Sequence, residues 1–337
     1  PGRTTRLVGD LLRRSISVTS ESPRSAALEL SEGEALELYV AGDPEFLIGK
    51  AALRFTVTLS GSQDTSTRSV TVGKDEWAPL RFTAAEAGAG PATLDVSVQR
   101  ADSEDCAVGY ISEAAIRRRG QAGPTVLLIT SDTHRADHVS TINPGSPVST
   151  PHIDKLGSEG AVFTNCFSSI NNTNPSHVTL LTGVHPRDTK IINNHTRLHV
   201  SAETLAEQFR EAGYQTHAAL SAFHLFDDVS GLGQGFDRMS APLRGAVDGR
   251  GTLARAGEWI DEAKGAPLFL WVHLFDAHTP YKLPDEQMQE LLDGRPDPYR
   301  DDVDLGLAPR PLPSWLAKSE LRDPEFVTAL YAGEVRY

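Results

Sequence analysis

The chain contains Asn171-Asn-Thr-Asn-Pro-Ser-His-Val-Thr-Leu-Leu-Thr-Gly183, a stretch with the features of a helix start and a helix end. Asn174 suits the N-cap and Pro175 the first helical position, because a proline there loses no hydrogen bond. Gly183 suits the position just after the helix. A helix start also attracts phosphate-like or sulfate-like anions. The stretch therefore predicts either an ordinary capped helix or an anion site with the Thr173 hydroxyl beside it.

Composition limits the classes of protein that the chain can represent. It has 337 residues, of which 39% are hydrophobic and 23% charged, as in a globular protein with room for two domains. The net charge of -13 argues against a nucleic-acid partner. No apolar run approaches the length of a membrane span. Cys106 and Cys166 are too few for a disulfide framework and are predicted to be buried free thiols.

The first third of the chain alternates apolar and polar residues in short runs separated by polar turns. The predicted strands are 26–30, 35–40, 52–59, 69–72 and 92–98. Such a pattern predicts an all-β sandwich domain over residues 1–118. Residues 119–123 follow as a linker, and the basic triplet that starts at Arg117 is predicted to be solvated. The sandwich could bind a glycan or serve as a structural appendage.

Strands and helices alternate from residue 124 onward. The predicted strands are 125–130, 161–167, 215–221 and 267–275, and the predicted helices are 150–157, 204–213 and 253–264. This alternation predicts an α/β domain over residues 124–337, with a largely parallel sheet flanked by helices. The first strand is continuously apolar, so we expect it to be buried.

Polar residues follow several of these predicted strands. Asp132 follows the first strand, His224 the third, and Asp276 and His278 the fourth. Ligands of such sheets bind beyond the carboxyl ends of the strands, although each residue alone is also an ordinary loop residue. Asp132 would bind a hard cation, which would lower the pKa of the Thr173 hydroxyl. The histidines would contact the anion or protonate the leaving group.

Four segments, in chain order, resemble the sulfatase family of the alkaline phosphatase superfamily. Ser131–His138 resembles D-T-L-R-A-D-H, and Thr173–Pro186 resembles C-x-P-S-R-x-x-L-L-T-G-x-x-P. Thr204–Asp237 matches the next family block, and Leu270–Tyr281 resembles F-x-H-x-x-x-x-H-x-P-Y. The resemblance implies a metal-dependent hydrolase of sulfate or phosphate esters that acts on a small molecule or a glycan.

The resemblance also implies roles for individual residues. Asp132 matches a metal ligand, and Thr173 matches the nucleophile, which would touch the metal as well. His224 and His278 match residues that contact the substrate or the leaving oxygen, and we expect them to be catalytic. Residues implied to contact the substrate are His177, which replaces the signature arginine, Lys190 and Asn194.

Thr173 departs from the usual family pattern. Most members carry a Cys or Ser there that becomes formylglycine, and a threonine cannot be converted, so no formylglycine is expected. Threonine nucleophiles resemble those of the superfamily's phosphodiesterases and phosphotransferases, which form a phospho-threonine. A phosphoryl transferase acting on a glycan or lipid alcohol therefore stays open. The metal also stays open between Ca²⁺ and Zn²⁺ or Mn²⁺.

The chain ends at Tyr337, in a segment that in the family precedes the Asp-His or Asp-Asn pair completing the metal site. The α/β domain is therefore expected to lack its C-terminal part. Three explanations stay open: the sequence is a fragment, another chain supplies the missing strands, or the site is inactive. The last would make the protein a non-catalytic glycan binder. No export signal is visible, although the resemblance favours a periplasmic or secreted protein.

Overall fold

The computed structural model describes residues 4–9, 11–47, 51–118, 122–293 and 323–336. The strands are β1 (Thr4–Val8), β2 (Leu11–Thr19), β3 (Arg24–Leu30), β4 (Glu34–Gly42), β5 (Leu53–Ser60), β6 (Thr65–Val72), β7 (Trp77–Thr83), β8 (Gly90–Arg100), β9 (Val108–Ser112), β10 (Ala115–Arg118), β11 (Thr125–Ser131), β12 (Gln215–Leu220), β13 (Arg238–Ser240) and β14 (Leu268–Leu274).

The α-helices are α1 (Ala84–Ala87), α2 (Pro151–Glu159), α3 (Thr173–Thr182), α4 (Pro186–Thr189), α5 (Leu205–Glu211), α6 (Asp227–Ser230), α7 (Gly249–Ala263), α8 (Asp285–Leu292) and α9 (Pro324–Arg336). Two short 3₁₀ helices span Ala136–His138 and Phe223–Leu225. In the described ranges, no helix is both long enough and apolar enough to cross a membrane.

The chain forms two compact units. The first combines residues 1–129 with 169–272, and the second combines residues 130–168 with 273–337. The proposed domain limits of 1–118 and 124–337 stay a prediction, and residues 119–121 of the expected linker lie outside the described residues.

Antiparallel strands make up the N-terminal part of the first unit. One four-stranded sheet has the order β3-β8-β5-β6, and β4 pairs with β7, β9 and β10 in another sheet. Phe55 of β5 and Phe82 of β7 come from different sheets, and both are fully buried in one apolar cluster. The strands expected from alternation are therefore present, with inward-facing side chains from both sheets in a shared core.

The larger sheet is mixed rather than largely parallel. Its main order is β10-β4-β9-β2-β13-β12-β14-β11. β12 and β13 are parallel, whereas β13 and β2 are antiparallel and meet at Met239 and Leu12. The α/β prediction is thus only partly right, because a strand from the antiparallel segment continues the sheet of the α/β segment.

Three local predictions are wrong. β11 is not buried, since Leu127 and Ile129 on one of its faces are 46% and 48% exposed. Residues 161–167 form no strand, because the described part of the chain gives them no neighbouring strand to pair with. Cys106 and Cys166 are exposed rather than buried. Each of these predictions was made from apolar residue types in a short stretch of sequence. Whether such a stretch is buried or paired depends on other parts of the chain that pack against it, and the local pattern does not show them.

Arg117 was expected in a solvated face but is largely covered, at 12% side-chain exposure, in an ion cluster around Asp237. Its guanidinium pairs with the Asp237 carboxylate and, at 3.2 Å, with Glu37. Arg210 Nε lies 3.1 Å from the same Asp237 carboxylate, and the Thr216 N–H donates to it at 3.0 Å. Burial alone would raise the pKa of Asp237, but Arg117 and Arg210 outweigh burial and hold that pKa well below its usual range. Asp237 is therefore a largely buried, ionised side chain that links Arg117 of β10 to Arg210 and Thr216 of the α/β segment.

His217 of β12 gives the first unit a pH dependence. Its ring is 2% exposed, and its Nε2 accepts a hydrogen bond from Arg238 Nε at 3.1 Å. Burial first, and then the charge of Arg238, lower the pKa of His217 well below its usual value. Below about pH 6.5 the unfolded chain therefore binds a proton that the folded chain does not bind.

We accordingly expect the free energy of unfolding to fall as the pH drops below about 6.5, by at most about 1.4 kcal/mol per pH unit from this residue. Urea titrations between pH 7.5 and 5.5 measure this slope. His217→Gln should flatten it, whereas His152→Gln, at an exposed site on α2, should leave it unchanged. An equal slope in wild type and His217→Gln would contradict the assignment.

Candidate active site

The signature helix α3 begins two residues earlier than predicted. Its N-cap is Asn172, not Asn174, and Thr173 is its first residue. Asn174 instead lies inside the first turn, where its backbone N–H donates to Asn194 Oδ1 at 2.9 Å. The helix end is as expected: Gly183 has φ 70° and donates its N–H to the Thr179 carbonyl at 2.8 Å.

The start of α3 offers fewer N–H groups to an anion than the sequence suggested. The N–H of Asn174 is taken by Asn194, and Pro175 has none. The N–H of Ser176 is taken by the Asn172 carbonyl at 3.2 Å. The positive end of the helix dipole still favours an anion, but three of its first four residues have no N–H to give.

Thr173 is 7% exposed, and two side chains hold its carbonyl oxygen. Ser176 Oγ donates to this oxygen at 2.9 Å and His177 Nδ1 at 2.7 Å. Because a carbonyl only accepts, His177 Nδ1 carries the hydrogen and Nε2 carries the electron pair. The ring of His177 lies 5.6 Å from that of Trp271. His177 is thus a buried, oriented imidazole whose Nε2 has the chemistry of a metal ligand or a base.

Other predicted residues of the first unit lie on turns near α3. Lys190 caps α4 with φ 61° and is exposed. Asn194, as described, holds the start of α3. His224 lies in the Phe223–Leu225 turn, whose Leu225 shares an apolar cluster with Val178 of α3. The catalytic role of His224 and the substrate contacts of His177, Lys190 and Asn194 stay predictions.

The second unit pairs Asp132 with a buried histidine that the sequence analysis did not assign. The Asp132 N–H donates to the Leu274 carbonyl at 2.9 Å, which fixes the residue beside the end of β14. Its Oδ2 lies 3.4 Å from Nε2 of His273, which is fully buried. This distance is long for an N–H···O hydrogen bond, but it matches the roughly 3.3 Å between two ligands of a tetrahedral cation such as Zn²⁺.

The donor atoms of Asp132 and His273 therefore fit part of a divalent-metal site. A carboxylate oxygen and an imidazole nitrogen are both common ligands of transition-metal ions. A usable signal for His273 was present, because it occupies the first histidine of the F-x-H-x-x-x-x-H-x-P-Y pattern. The sequence analysis gave His273 no role because the other residues of its strand are apolar, which is typical of a strand that only forms core.

His278 is held by its neighbours in the second unit. Its ring stacks on the Phe275 ring with centroids 4.1 Å apart, and its backbone N–H donates to the Phe275 carbonyl at 3.1 Å. Its Nδ1 donates to the Thr279 carbonyl at 2.6 Å. The carbonyl keeps the hydrogen on Nδ1 in both protonation states, so Nε2 is the atom that can exchange a proton with a ligand. The catalytic role of His278 remains a prediction.

The comparisons of the amino-acid sequence with known proteins do not depend on the distances described above. The family model described as Sulfatase matches residues 124–297, just over half of the chain. An N-acetylglucosamine-6-O-sulfatase of Bacteroides thetaiotaomicron is 28% identical over 117 residues, covering 35% of this chain and 20% of that protein. An N-acetylgalactosamine-6-O-sulfatase of the same organism is 33% identical over 107 residues, covering 30% of this chain and 20% of that protein.

A solved structure of a phosphonate monoester hydrolase from Agrobacterium radiobacter is 21% identical, with a TM-score of 0.45. The superposition covers 63% of this chain and 56% of that one. The alignments to the two curated Bacteroides relatives span only about a fifth of their lengths.

Proposed function

Because the chain belongs to the sulfatase family, we propose that it hydrolyses sulfate or phosphate esters with the help of a divalent cation, using Thr173 as the nucleophile. The close approach of Asp132 and His273 supports this proposal, since two suitable ligand atoms lie 3.4 Å apart. The two Bacteroides relatives are named for 6-O-sulfated amino sugars, which supports a sugar ester as substrate.

The imidazole of His273 favours Zn²⁺ over Ca²⁺, which prefers oxygen ligands. When bound, the cation would lower the pKa of the Thr173 hydroxyl and offset charge on the ester.

In the proposed reaction the Thr173 hydroxyl gives its proton to solvent as Thr173 Oγ forms a bond to sulfur or phosphorus, and the bond from that atom to the ester oxygen breaks. His278 gives a proton from Nε2 to the departing alcohol, while its Nδ1 stays fixed on the Thr279 carbonyl. Water then attacks the covalent intermediate and returns one proton to His278 Nε2. Sulfate or phosphate leaves, and Thr173 Oγ takes a proton from solvent, which restores the hydroxyl. His224 is the second histidine proposed to contact the transferred group.

The function is tested by assaying the full-length protein with an aryl sulfate, an aryl phosphate and an aryl phosphodiester, before and after chelation. Turnover that chelation stops and added Zn²⁺ or Mn²⁺ restores supports the proposal. Turnover by a metal-free preparation contradicts it. The preferred ester separates a sulfatase from a phosphoesterase. Added alcohols that accept the group in place of water would indicate the phosphoryl transferase that the threonine nucleophile also permits.

Asp132→Asn is expected to weaken metal binding at least tenfold, because an amide lacks the negative charge that holds the cation. Elemental analysis after dialysis and titration against a chelator measure this change. Asp285→Asn, at an exposed carboxylate on α8, is the matched control and should bind the metal like wild type. Equal affinity in wild type and Asp132→Asn would exclude Asp132 as a ligand.

A further inference from the structure

Thr133, the residue after Asp132, has a backbone conformation that its side chain disfavours. Its φ is 56°, in the left-handed region, where a β-branched side chain crowds the backbone. Among the described residues other than glycine, Asp75, Lys190 and Lys264 also have positive φ, but none of these three is β-branched. Thr133 is exposed, so burial of its side chain does not offset the strain. Other contacts must therefore hold the residue in this conformation.

The Tyr331 hydroxyl bridges two backbone groups of the turn that contains Thr133. It donates to the Thr133 carbonyl at 2.9 Å and accepts the Arg135 N–H at 2.8 Å. Tyr331 lies on α9, is 7% exposed, and packs its ring edge-on against the ring of His138 at 4.8 Å. Because the ring is fixed, the hydroxyl sets the spacing between the two backbone groups.

Asp132 is held on its other side by the end of β14. Its N–H donates to the Leu274 carbonyl at 2.9 Å, and its Oδ2 lies 3.4 Å from His273 Nε2. Thr133 Oγ1 donates to the Asp132 carbonyl at 2.7 Å. Asp132 and Thr133 share one peptide group, so a change of φ at Thr133 alters the direction in which the chain leaves Asp132. The conformation of Thr133 therefore bears on how firmly the Asp132 carboxylate is kept beside His273.

The two hydrogen bonds of Tyr331 matter through the conformation that they impose. Thr133 and Arg135 are exposed, so water can replace either hydrogen bond at little cost in stability. Water cannot, however, hold the two backbone groups at a fixed spacing. Without the hydroxyl, Thr133 would lower its free energy by returning to negative φ.

We propose that Tyr331 is a positioning residue for the metal site: its hydroxyl holds Thr133 in the left-handed conformation and thereby keeps the Asp132 carboxylate beside His273. The inference rests on the proposed function, because it takes Asp132 as a ligand of the cation. Tyr331 contacts neither the cation nor the ester and acts through the backbone of residues 132–135.

The metal affinity of the full-length protein tests this role without any turnover. Tyr331→Phe keeps the ring and removes only the hydroxyl, and it should bind Zn²⁺ roughly tenfold more weakly in a titration against a chelator. Thr328→Ala is the matched control on α9, since it removes an exposed hydroxyl that donates to the Pro324 carbonyl at 3.0 Å, and it should bind like wild type. Equal affinity in wild type and Tyr331→Phe would overturn the inference and leave the proposed function standing. A wild type that binds no divalent cation would refute both.

A double-mutant comparison separates the strain at Thr133 from a general loss of structure. Thr133→Gly removes the β-branched side chain, and glycine adopts positive φ without steric cost. In the Thr133→Gly background, Tyr331→Phe should lower the affinity for Zn²⁺ by less than about threefold, because the turn no longer resists its conformation. A tenfold loss in both backgrounds would mean that Tyr331 acts independently of Thr133, and it would overturn the inference.

Amide hydrogen exchange of the metal-free protein gives a readout that does not involve the cation. The Arg135 N–H donates to Tyr331, so it should exchange faster in Tyr331→Phe than in wild type. Thr328→Ala should leave its rate unchanged. Equal exchange of the Arg135 amide in wild type and Tyr331→Phe would show that the hydroxyl does not hold the turn, and it would overturn the inference.

Discussion

Replacing Thr173 by alanine should lower kcat/KM for the preferred ester by roughly 10³-fold or more, since loss of a nucleophile removes the covalent route. Thr173→Ser keeps a hydroxyl at the first position of α3 and should retain most of the activity. Initial rates under saturating metal measure both effects. The expected loss is large because no neighbouring group is proposed to replace the hydroxyl.

Thr179→Ala is the matched control for this experiment. Thr179 lies in the same helix, and its hydroxyl only donates to the Pro175 carbonyl, at 3.1 Å. Its removal should change kcat/KM by less than about threefold. Thr173→Ala should keep bound metal, because Asp132 and His273 remain, so the loss of rate cannot be attributed to an empty metal site. Undiminished turnover by Thr173→Ala would refute the nucleophile.

A rapid-quench experiment gives the nucleophile a positive signature. During turnover of a phosphate ester, the peptide that contains Thr173 should carry a phosphoryl group, which mass spectrometry detects. The corresponding peptide of Thr173→Ala should not carry it. A labelled residue elsewhere in the chain would transfer the role of nucleophile to that residue.

The elements were readable from sequence wherever local chemistry decides them. Period-two alternation identified strands such as β5, in which Phe55 faces the core and its neighbours do not. Gly183 ended α3 as predicted, because its left-handed backbone is a local requirement. The N-cap was misplaced because three asparagines compete near Thr173. The choice depends on Asn194, which takes the Asn174 N–H from 20 residues away.

The candidate site shows the same division between local and long-range information. Asp132, Thr173 and His278 were predicted as site residues because each stands within a family segment, and these roles stay predictions. The pairing of Asp132 with His273 spans 141 residues, so although His273 stands within a family segment, its partner could not be identified from the local sequence. Likewise, the basic triplet at Arg117 resembled a solvated face. Its partner Asp237 is 120 residues away.

Asp237→Ala should lower the free energy of unfolding by about 3–5 kcal/mol, because it removes the carboxylate that Arg117 and Arg210 share in a largely buried cluster. Asp237 is fully ionised at neutral pH, since Arg117 and Arg210 hold its pKa well below the usual range. Its contribution is therefore complete at pH 7 and is lost only as the pH falls below about 4. Urea unfolding at pH 7 measures the change.

Glu262→Ala provides the matched control, because it also removes a carboxylate from an arginine. Glu262 pairs with Arg238 at 2.6 Å, but its side chain is 55% exposed, so the loss should stay below about 1 kcal/mol. The contrast between the two variants reports the combined effect of burial and of the second arginine, since Asp237 pairs with both Arg117 and Arg210 whereas Glu262 pairs with Arg238. A small loss in Asp237→Ala would mean that water and the existing pair with Glu37 compensate Arg117 for the lost carboxylate. The cluster would then not bind the antiparallel strands to the α/β segment.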